Sequence, residues 1–372
     1  MQVRFLHIVR YDKKFFESSI ASFIADRRLI NTIVVYNLFK EEITVNVDNV
    51  TILSNFLEVK EIIQEGDYDV LYFHSMPYHH WRIVPYIPKN KVVIWWGWGY
   101  DLYQTQEGAT PLLNIDCFKP ITKRLFKRMF LIHNCIRSIV YYFKKPFNDR
   151  LIRNCLYRID YFQPVISSEL ELMKEHYPSF RADEFYSLEP IADYIREYKG
   201  VDSCGDILLG NSASMSNNHL DVWSKISKYI SNDQQCIVPL SYGDMTYAHY
   251  ISKEMSGINL KLIFGFMPLD EYRALTKGCK YMVMGVIRQQ AMGNISYGIR
   301  NGLKIFLYKD SIVYHYLRGL GLKVFPIEEI DENSFRKGLS LEEQNYNIAC
   351  YNNEFHRRNN VYNEVISKLY NK

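Results

Sequence analysis

A loop rich in hydroxyl and amide side chains, Gly210–His219, follows a short apolar run and precedes a helical pattern. Backbone N–H groups and the dipole at such a helix start favour an anion, and Ser216 and Asn217 are suited to cap the helix. The loop has neither the Gly-Lys-Ser/Thr of a P-loop nor a G-x-G-x-x-G sequence. The spacing alone leaves two interpretations open, an anion site or a turn that only caps a helix.

A second polar loop, Arg288–Asn294, follows another short apolar run. Arg288 could pair with a diphosphate, and the amides of Gln289 and Gln290 could bind a base or a sugar. Gly293 allows the backbone to approach a ligand closely before the next helix start. The alternative is an arginine on an exposed polar turn.

Candidate acid–base groups lie in the first third of the sequence. Asp101 follows a Trp-rich turn, where burial beside indoles would favour its neutral form and let it act as a base near neutral pH. The alternative is that Asp101 caps a turn. His74 ends a predicted strand, where a structural hydrogen bond is the alternative role. His79 and His80 lack a carboxylate partner, so we expect no metal site there.

These candidates need a framework, and alternating apolar runs and helical patterns predict one. The pattern is typical of two consecutive α/β units, each a doubly wound parallel sheet with crossover helices. In such sheets ligands bind beyond the carboxyl ends of the strands, where all of these candidates lie. The predicted strands span residues 3–9, 32–36, 69–74, 92–96 and 161–166, then 206–209, 236–240, 260–263, 281–284, 304–308 and 323–325. We expect a first domain over 1–180, a linker region over 181–205, a second domain over 206–340 and a helical tail over 341–372.

The positive charge of the chain is concentrated in one segment. The formal net charge is +4, but residues 117–158 contain eleven Lys or Arg and a single acid. Pro120 and Pro146 mark the predicted ends of one amphipathic helix, residues 120–145, within the first domain. Its early turns contain four cations, Lys123, Arg124, Lys127 and Arg128.

A basic amphipathic helix has two possible roles here. It could bind anionic lipid, with ~1 kcal/mol gained per cation near the surface. Alternatively, its apolar stripe packs on the domain and its cations are solvated. A nucleic-acid binder would more often spread its charge over a domain, so we expect no nucleic-acid partner.

Composition limits the class of protein further. The 372 residues are 48% hydrophobic and 23% charged, which excludes a disordered chain and suits two domains. The 7 cysteines include no C-x-x-C pair, which favours a reducing compartment over a disulfide framework or a zinc site. Residues 1–9 fit a strand rather than a signal peptide, and no run approaches the ~20 apolar residues of a membrane span.

Several of these motifs together resemble a known family. Trp98-Gly-Tyr-Asp-Leu-Tyr103 is similar to an element of the 4-acetamido-4,6-dideoxygalactose transferases, glycosyltransferase family 56, which extend lipid II in enterobacterial common antigen synthesis. The Gly-Asn-Ser…Ser-Asn-x-His pattern of 210–219, Val238-Pro-Leu-Ser-Tyr242 and Arg288-Gln-Gln-x-x-Gly293 resemble later elements in the same order. The similarity extends from about Asp69 to Pro326. The basic segment and the loop Ser75–His80 depart from the family pattern.

The resemblance implies a GT-B glycosyltransferase with two facing Rossmann-like domains, in which the C-terminal domain binds a nucleotide-sugar donor. The implied donor-site residues are Gly210, Asn211, Ser212, Ser216, Asn217, His219, Tyr242, Arg288, Gln289, Gln290 and Gly293. Asn294, the next residue of the same polar loop, is a further donor-site candidate. The implied acceptor-side residues are Trp98, Gly99 and Tyr103, with Asp101 of the same element as a candidate catalytic group. His74 is a second catalytic candidate, from its position at a strand end and not from the resemblance. Lys123, Arg124, Lys127 and Arg128 are the candidates for contact with lipid phosphate.

From these features we expect transfer of a 4-acetamido-4,6-dideoxy or related sugar from a nucleotide diphosphate, with dTDP the expected nucleotide. We expect the diphosphate to lie on the helix that starts near Ser216, with Arg288 neutralising charge on the departing nucleotide. The expected acceptor is a polyprenyl-diphosphate-linked saccharide in bacterial surface-polysaccharide assembly. The protein would act without a cofactor or metal, as a cytoplasmic protein on the inner face of the membrane. Two alternatives remain at this stage, a nucleotide-sugar epimerase of the same fold and a non-enzymatic lipid- or polyanion-binding protein.

Overall fold

The structure is a computed structural model of the chain. It describes residues 2–12, 16–40, 42–45, 47, 49–104, 109–130, 134–188, 205–257, 259–265 and 267–371. Two compact units are present. Unit one comprises Met1–Asn114, Ile136–Ile191 and Phe355–Lys372, and unit two comprises Ile115–Cys135 and Ala192–Glu354.

Unit one contains a seven-stranded parallel sheet in the order β3-β2-β1-β4-β5-β6-β7. Its strands are β1 Val3–Val9, β2 Leu29–Tyr36, β3 Val50–Leu53, β4 Val70–Phe73, β5 Val92–Trp96, β6 Tyr161–Gln163 and β7 Asp183–Glu184. The helices in this part of the chain are α1 Phe16–Ala25, α2 Phe56–Glu65, α3 Tyr78–Trp81, α4 Gly99–Tyr103 and α7 Ser168–His176.

Unit two contains a six-stranded parallel sheet in the order β10-β9-β8-β11-β12-β13. Its strands are β8 Asp206–Leu209, β9 Cys236–Pro239, β10 Leu260–Ile263, β11 Cys279–Met284, β12 Lys304–Leu307 and β13 Phe325–Pro326. Its helices are α5 Pro120–Phe130, α8 His219–Ile226, α9 Met245–Glu254, α10 Leu269–Thr276, α11 Met292–Arg300 and α12 Ile312–Gly319. The long helices α6 Asn134–Leu156 and α13 Leu341–Tyr370 each contain residues of both units.

The central strands are short apolar runs because helices cover both of their faces. All four residues of β4 and all four of β9 are buried. Full burial of one Val, Leu, Ile or Phe side chain contributes about 1.5–3 kcal/mol, so these runs strongly favour the sheet interior. The strands predicted from the sequence are therefore present with ends that shift by a few residues, and the predicted α/β class is confirmed. The less regular strands β3 and β7 were not predicted.

The basic segment differs from its prediction in two respects. Its described residues form α5 and α6, and Pro146 lies inside α6, which continues to Leu156, instead of beyond a helix end at residue 145. A proline removes one helical hydrogen bond, but the flanking turns of a 23-residue helix supply the others. In addition, α5 belongs to unit two and not to the first domain.

Hydrogen bonds to α8 and its preceding residue explain why α5 belongs to unit two. The Asp221 carboxylate accepts the backbone N–H groups of Ile121 and Thr122 at 2.8 Å each, at the start of α5. The Asn218 side chain accepts the N–H of Lys119 at 2.8 Å. Leu125 is buried in the hydrophobic core of the same unit.

The two remaining parts of the domain prediction concern the linker and the tail. Most of the predicted linker, residues 189–204, lies outside the described residues. The predicted tail is helical, but its residues from Phe355 onward belong to unit one. There, Tyr362 is buried with Phe185 and Val3 in one hydrophobic cluster, so this half of α13 completes the core of unit one.

Candidate functional site

Three loops at the carboxyl edge of the unit-two sheet are joined by side-chain hydrogen bonds. The Asn211 amide, after β8, donates to the Tyr242 hydroxyl, after β9, at 2.8 Å. The Gln290 amide, after β11, donates to Asn211 Oδ1 at 3.2 Å, and the Ser216 hydroxyl donates to Gln290 Oε1. The structure therefore brings together residues from three separate sequence motifs.

Backbone contacts fix two of these loops to each other. The N–H of Ala213 donates to the Tyr242 carbonyl at 2.7 Å, and the N–H of Asp244 donates to the Ala213 carbonyl at 3.0 Å. Gly243 has a φ of +115°, and a Cβ there would come within 2.8 Å of the Ala213 backbone. A glycine is thus required for this close approach.

The lower part of the cluster is enclosed by protein. His219 is 0% exposed, and burial lowers the pKa of its imidazole to about 3. Gly210 has a φ of +69°, and a Cβ there would be only 2.6 Å from His219 Nε2. Gly210 therefore lies directly over this ring. The Asn217 amide donates to the Ser212 carbonyl at 3.0 Å. These four predicted donor-site residues shape the loop from within and do not line its surface.

The start of α8 differs from the sequence prediction. Its N-cap is Asn218, in the left-handed conformation with a φ of 51°, and neither Ser216 nor Asn217 occupies that position. The Asn218 amide donates to the carbonyls of Cys117 at 3.0 Å and Gly285 at 2.7 Å. The segment before α5 and the loop after β11 therefore cover the α8 N-terminus, where the sequence predicted an anion.

The accessible part of the cluster surrounds the start of α11. Arg288 is partly exposed, Gly293 is exposed in the first turn of α11, and a Cβ at Gly293 would meet nothing within 4 Å. Ala291 precedes the helix at a φ of 62°, a left-handed conformation that costs a non-glycine residue about 1 kcal/mol or more. Arg288 comes four residues before the first residue of α11, and a cation and a helix N-terminus each favour an anion.

Three further predicted residues belong to the same region, two of them at least partly exposed and one buried. Tyr242 is 48% exposed, so its ring is available to a ligand. Asn294 is partly exposed and donates to the Tyr272 hydroxyl at 3.0 Å. Gln289 is buried, and its carbonyl accepts a 2.9 Å hydrogen bond from Arg288 Nη1.

In unit one, the structure gives Asp101 a clear structural role. Its carboxylate is 4% exposed. Oδ2 accepts the Trp98 backbone N–H at 3.0 Å, at the start of α4, and lies 3.4 Å from Trp95 Nε1. Gly99 is the first residue of α4, and the buried Tyr103 hydroxyl donates to Glu169 Oε1 at 2.9 Å. These contacts correspond to the turn-capping alternative for Asp101, and its catalytic role stays a prediction.

His74 follows β4 and is hydrogen-bonded to His7, which is in turn hydrogen-bonded to Asn31; the sequence analysis missed both of these residues. His74 Nε2 lies 2.9 Å from His7 Nδ1 on β1, and His7 Nε2 lies 2.9 Å from Asn31 Oδ1 on β2. Both histidines are buried. The available sequence signal is a histidine within the run Phe5–Val9, whose other residues are all apolar.

The four predicted lipid-contact cations lie on the exposed side of α5. Lys123, Arg124, Lys127 and Arg128 are all exposed. Lys123 forms an ion pair with Asp116. Since Ile121, Leu125, Phe126 and Met129 pack in the core of unit two, the exposed residues of α5 between positions 121 and 129 are the charged ones.

Within the part of the chain that the structure describes, no helix is both long and apolar enough to cross a membrane. The same residues contain no group of three or more His, Cys, Asp or Glu that could hold a metal ion.

A family model supplies the decisive comparison. Residues 167–359, just over half of the chain, match the family described as 4-alpha-L-fucosyltransferase glycosyl transferase group 56. The chain belongs to this family. The match confirms the resemblance noted from the sequence motifs, and it includes all three bonded loops of unit two.

Solved structures agree on the fold. A structure described as "Trehalose-6-phosphate from E. coli bound with UDP-2-fluoro glucose" has a TM-score of 0.63 at 11% identity, with 99% of each chain covered. Anabaena HepE in complex with UDP and glucose has a TM-score of 0.61 at 11% identity, with 100% of each chain covered. An alpha,alpha-trehalose 6-phosphate synthase from Burkholderia multivorans has a TM-score of 0.58 at 9% identity, covering 100% of this chain and 98% of that one.

This member of group 56 is therefore a glycosyltransferase with the GT-B fold, built from two Rossmann-like units. Membership favours the transferase over the epimerase and over the non-enzymatic binding protein that the sequence left open.

Proposed function

We propose that this enzyme transfers a 4-acetamido-4,6-dideoxy or related deoxy sugar from a dTDP-linked donor to a polyprenyl-diphosphate-linked saccharide. The reaction would take place on the cytoplasmic face of the membrane, in the assembly of a bacterial surface polysaccharide. The observation that supports this proposal best is the bonded cluster of three loops in unit two, which lies within the segment matched by the family.

The donor diphosphate is proposed to bind at the start of α11, beside Arg288. The segments that contain Cys117 and Gly285, whose carbonyls accept hydrogen bonds from Asn218, cover the N-terminus of α8. In the first turn of α11, by contrast, Gly293 is exposed to solvent. The guanidinium would neutralise charge on the departing nucleotide, and the α11 dipole would add to it. Tyr242 and the amides of Asn211 and Gln290 form the adjacent wall for the sugar or the base.

The acceptor is proposed to reach the enzyme from an anionic membrane surface bound by the exposed side of α5. Since the apolar side of α5 is packed in unit two, attraction would be electrostatic, with ~1 kcal/mol per cation and sensitivity to salt. Arg124, Lys127 and Arg128 are exposed on this surface, the last two in the final turn of α5.

A nucleotide-binding experiment tests the donor part of the proposal. Thermal unfolding is measured with dTDP, UDP, GDP and CMP, because a ligand that binds only the folded state raises its stability. We expect dTDP to give the largest shift, and Arg288→Ala to weaken dTDP binding about tenfold or more by calorimetry, the loss of one charged hydrogen bond. Arg318→Ala, an exposed arginine in the last turn of α12, is the matched control.

Two results would contradict the donor site. One is the absence of a thermal shift with every nucleotide. The other is an equal loss of dTDP affinity in Arg288→Ala and Arg318→Ala, which would show an effect of net charge and not of a local contact.

A further inference from the structure

One face of the unit-one sheet contains a chain of polar side chains that begins inside the sheet at Asn31 and ends at its carboxyl edge with His74. His7, on the central strand β1, lies between Asn31 on β2 and His74 just after β4. The distances are 2.9 Å from His7 Nε2 to Asn31 Oδ1 and 2.9 Å from His7 Nδ1 to His74 Nε2. Each link is a hydrogen bond of ordinary length, so the protons in the chain can be assigned.

The assignment begins at Asn31. Its amide nitrogen donates to the Phe23 carbonyl at 2.9 Å, so its Oδ1 is the acceptor that faces His7. His7 Nε2 therefore holds a hydrogen. Burial lowers the pKa of His7 to about 4, so the ring is neutral near pH 7 and its Nδ1 is an acceptor.

The same argument extends to His74. Its Nε2 must donate to His7 Nδ1, because that nitrogen has only a lone pair. Burial also holds the pKa of His74 well below its usual value, so this ring is neutral as well. Its Nδ1 is then left with a lone pair, and Asn31 and His7 together dictate this tautomer.

His74 Nδ1 receives no hydrogen bond from the residues that the structure describes. A buried acceptor left without a donor costs about 1–3 kcal/mol, so such an atom calls for an explanation. The ring is 4% exposed and lies where substrates bind in parallel sheets. Its centroid is 6.0 Å from that of Trp96, which is 4.9 Å from that of Trp98, and both indoles are partly exposed.

We propose that His74 Nδ1 accepts a hydrogen bond from a hydroxyl group of the acceptor saccharide, whose ring packs beside Trp96. His7 and Asn31 are positioning residues that keep His74 in the tautomer able to accept this hydrogen bond. The inference rests on the proposed transfer to a saccharide. To that proposed function it adds a requirement for one particular hydroxyl group on the acceptor. It also assigns a role to His7 and Asn31, which no sequence motif indicated.

The proposal predicts selectivity against acceptors that lack this hydroxyl. A site built to bind a hydroxyl rejects a deoxy analogue by up to ~10⁴-fold, because a buried polar group is then left unpaired. His7→Phe keeps an aromatic ring but removes both nitrogens, so His74 is no longer held in one tautomer. We expect kcat/KM for the acceptor to fall about 10–100-fold, while the Kd for dTDP is unchanged.

The tautomer itself is tested without any substrate. Long-range ¹H–¹⁵N correlation spectra of the full chain, labelled with ¹⁵N-histidine, distinguish protonated from unprotonated ring nitrogens. We expect His74 to be protonated at Nε2 and unprotonated at Nδ1, with a loss of this pattern in His7→Phe. A wild-type His74 protonated at Nδ1 would overturn the proposal, whatever the enzyme transfers.

Kinetics test the role of the tautomer with a farnesyl-diphosphate-linked disaccharide as the acceptor. The control is Phe5→Leu, which disturbs packing on the same face, 5.7 Å from the His7 ring, without touching the hydrogen bonds. A fall in acceptor kcat/KM in His7→Phe but not in Phe5→Leu supports the proposal. Equal effects in both variants, or none, would overturn it. Failure of the wild-type enzyme to use this acceptor would instead contradict the proposed function and leave the spectroscopic result standing.

Discussion

Replacement of Asn218 by glycine is the sharpest test of how α5 is held on unit two. The Asn218 side chain is 0% exposed and joins three parts of the unit. It accepts from the Lys119 N–H at 2.8 Å and donates to the carbonyls of Cys117 at 3.0 Å and Gly285 at 2.7 Å. Glycine deletes these bonds and still adopts the left-handed backbone, where φ is 51°.

The expected cost follows from these contacts. Each net hydrogen bond contributes about 0.5–1.5 kcal/mol, and a buried partner left unsatisfied costs about 1–3 kcal/mol. Glycine recovers roughly 1 kcal/mol of the strain that a non-glycine residue has in the left-handed region. We therefore expect Asn218→Gly to lower the free energy of unfolding of unit two by about 2–4 kcal/mol.

Urea unfolding measures this loss, and hydrogen exchange by mass spectrometry locates it. We expect faster exchange in residues 117–130, because their anchor is gone. Ala291→Gly is the matched control, since Ala291 is also left-handed, at a φ of 62°, but its side chain makes no hydrogen bond. It should leave stability unchanged or slightly increased. A change of less than ~0.5 kcal/mol in Asn218→Gly, with unchanged exchange over 117–130, would refute the reasoning.

Three further predictions concern turnover, acid stability and lipid binding. If Asp101 activates the acceptor hydroxyl, Asp101→Asn lowers turnover about 10²–10⁴-fold, while circular dichroism shows an intact fold. Near-wild-type turnover of this variant would show that Asp101 only caps α4. Because burial lowers the pKa of His7 to about 4, the unfolded chain takes up a proton at this residue first as pH falls below ~6.5. Protonation of His7 in the unfolded chain should therefore lower the free energy of unfolding by about 2 kcal/mol between pH 7 and pH 5. Urea unfolding of His7→Phe at the two pH values should show a decrease that is smaller by this amount. Flotation with vesicles that contain phosphatidylglycerol should weaken in Lys127→Gln/Arg128→Gln but not in the exposed control pair Lys253→Gln/Lys277→Gln; equal flotation of both would exclude α5 as the contact.

The central strands could be predicted from the sequence because burial on both faces requires short, continuous apolar runs. Cys236–Pro239 is buried at every position, and its pattern is clear even though it contains a proline. The polar loops that follow such strands could be predicted as site candidates for the same reason, since parallel sheets place carboxyl ends at one edge. That explains why Asn211, Tyr242 and Gln290 were all expected at the site.

The position of α5 could not be predicted, because it depends on contacts between residues about a hundred positions apart. The hydrogen bonds from Ile121 and Thr122 to Asp221 have no local sequence signal. The amphipathic pattern was correct, but it does not say which core the apolar side joins. The amphipathic pattern shows which side of the helix is buried, but only the tertiary fold shows which core that side packs against.

The division of the Gly210–His219 loop into buried and accessible residues also required the structure. Asn217 and His219 have the polar groups expected of ligand contacts, yet both are fully buried beneath the loop. Likewise, His7 meets His74 only because β4 pairs with β1 in the sheet order. Strand order arises from crossover connections, and residue spacing does not encode it.

The central claim is that this chain transfers a deoxy sugar from a dTDP-linked donor held by unit two to a lipid-linked saccharide. The most direct measurement is incubation of the enzyme with dTDP-4-acetamido-4,6-dideoxygalactose and a farnesyl-diphosphate-linked disaccharide, followed by mass spectrometry. The account predicts a trisaccharide product and an equal amount of free dTDP, with both greatly reduced in Arg288→Ala. No product and no dTDP release above the enzyme-free rate would contradict it.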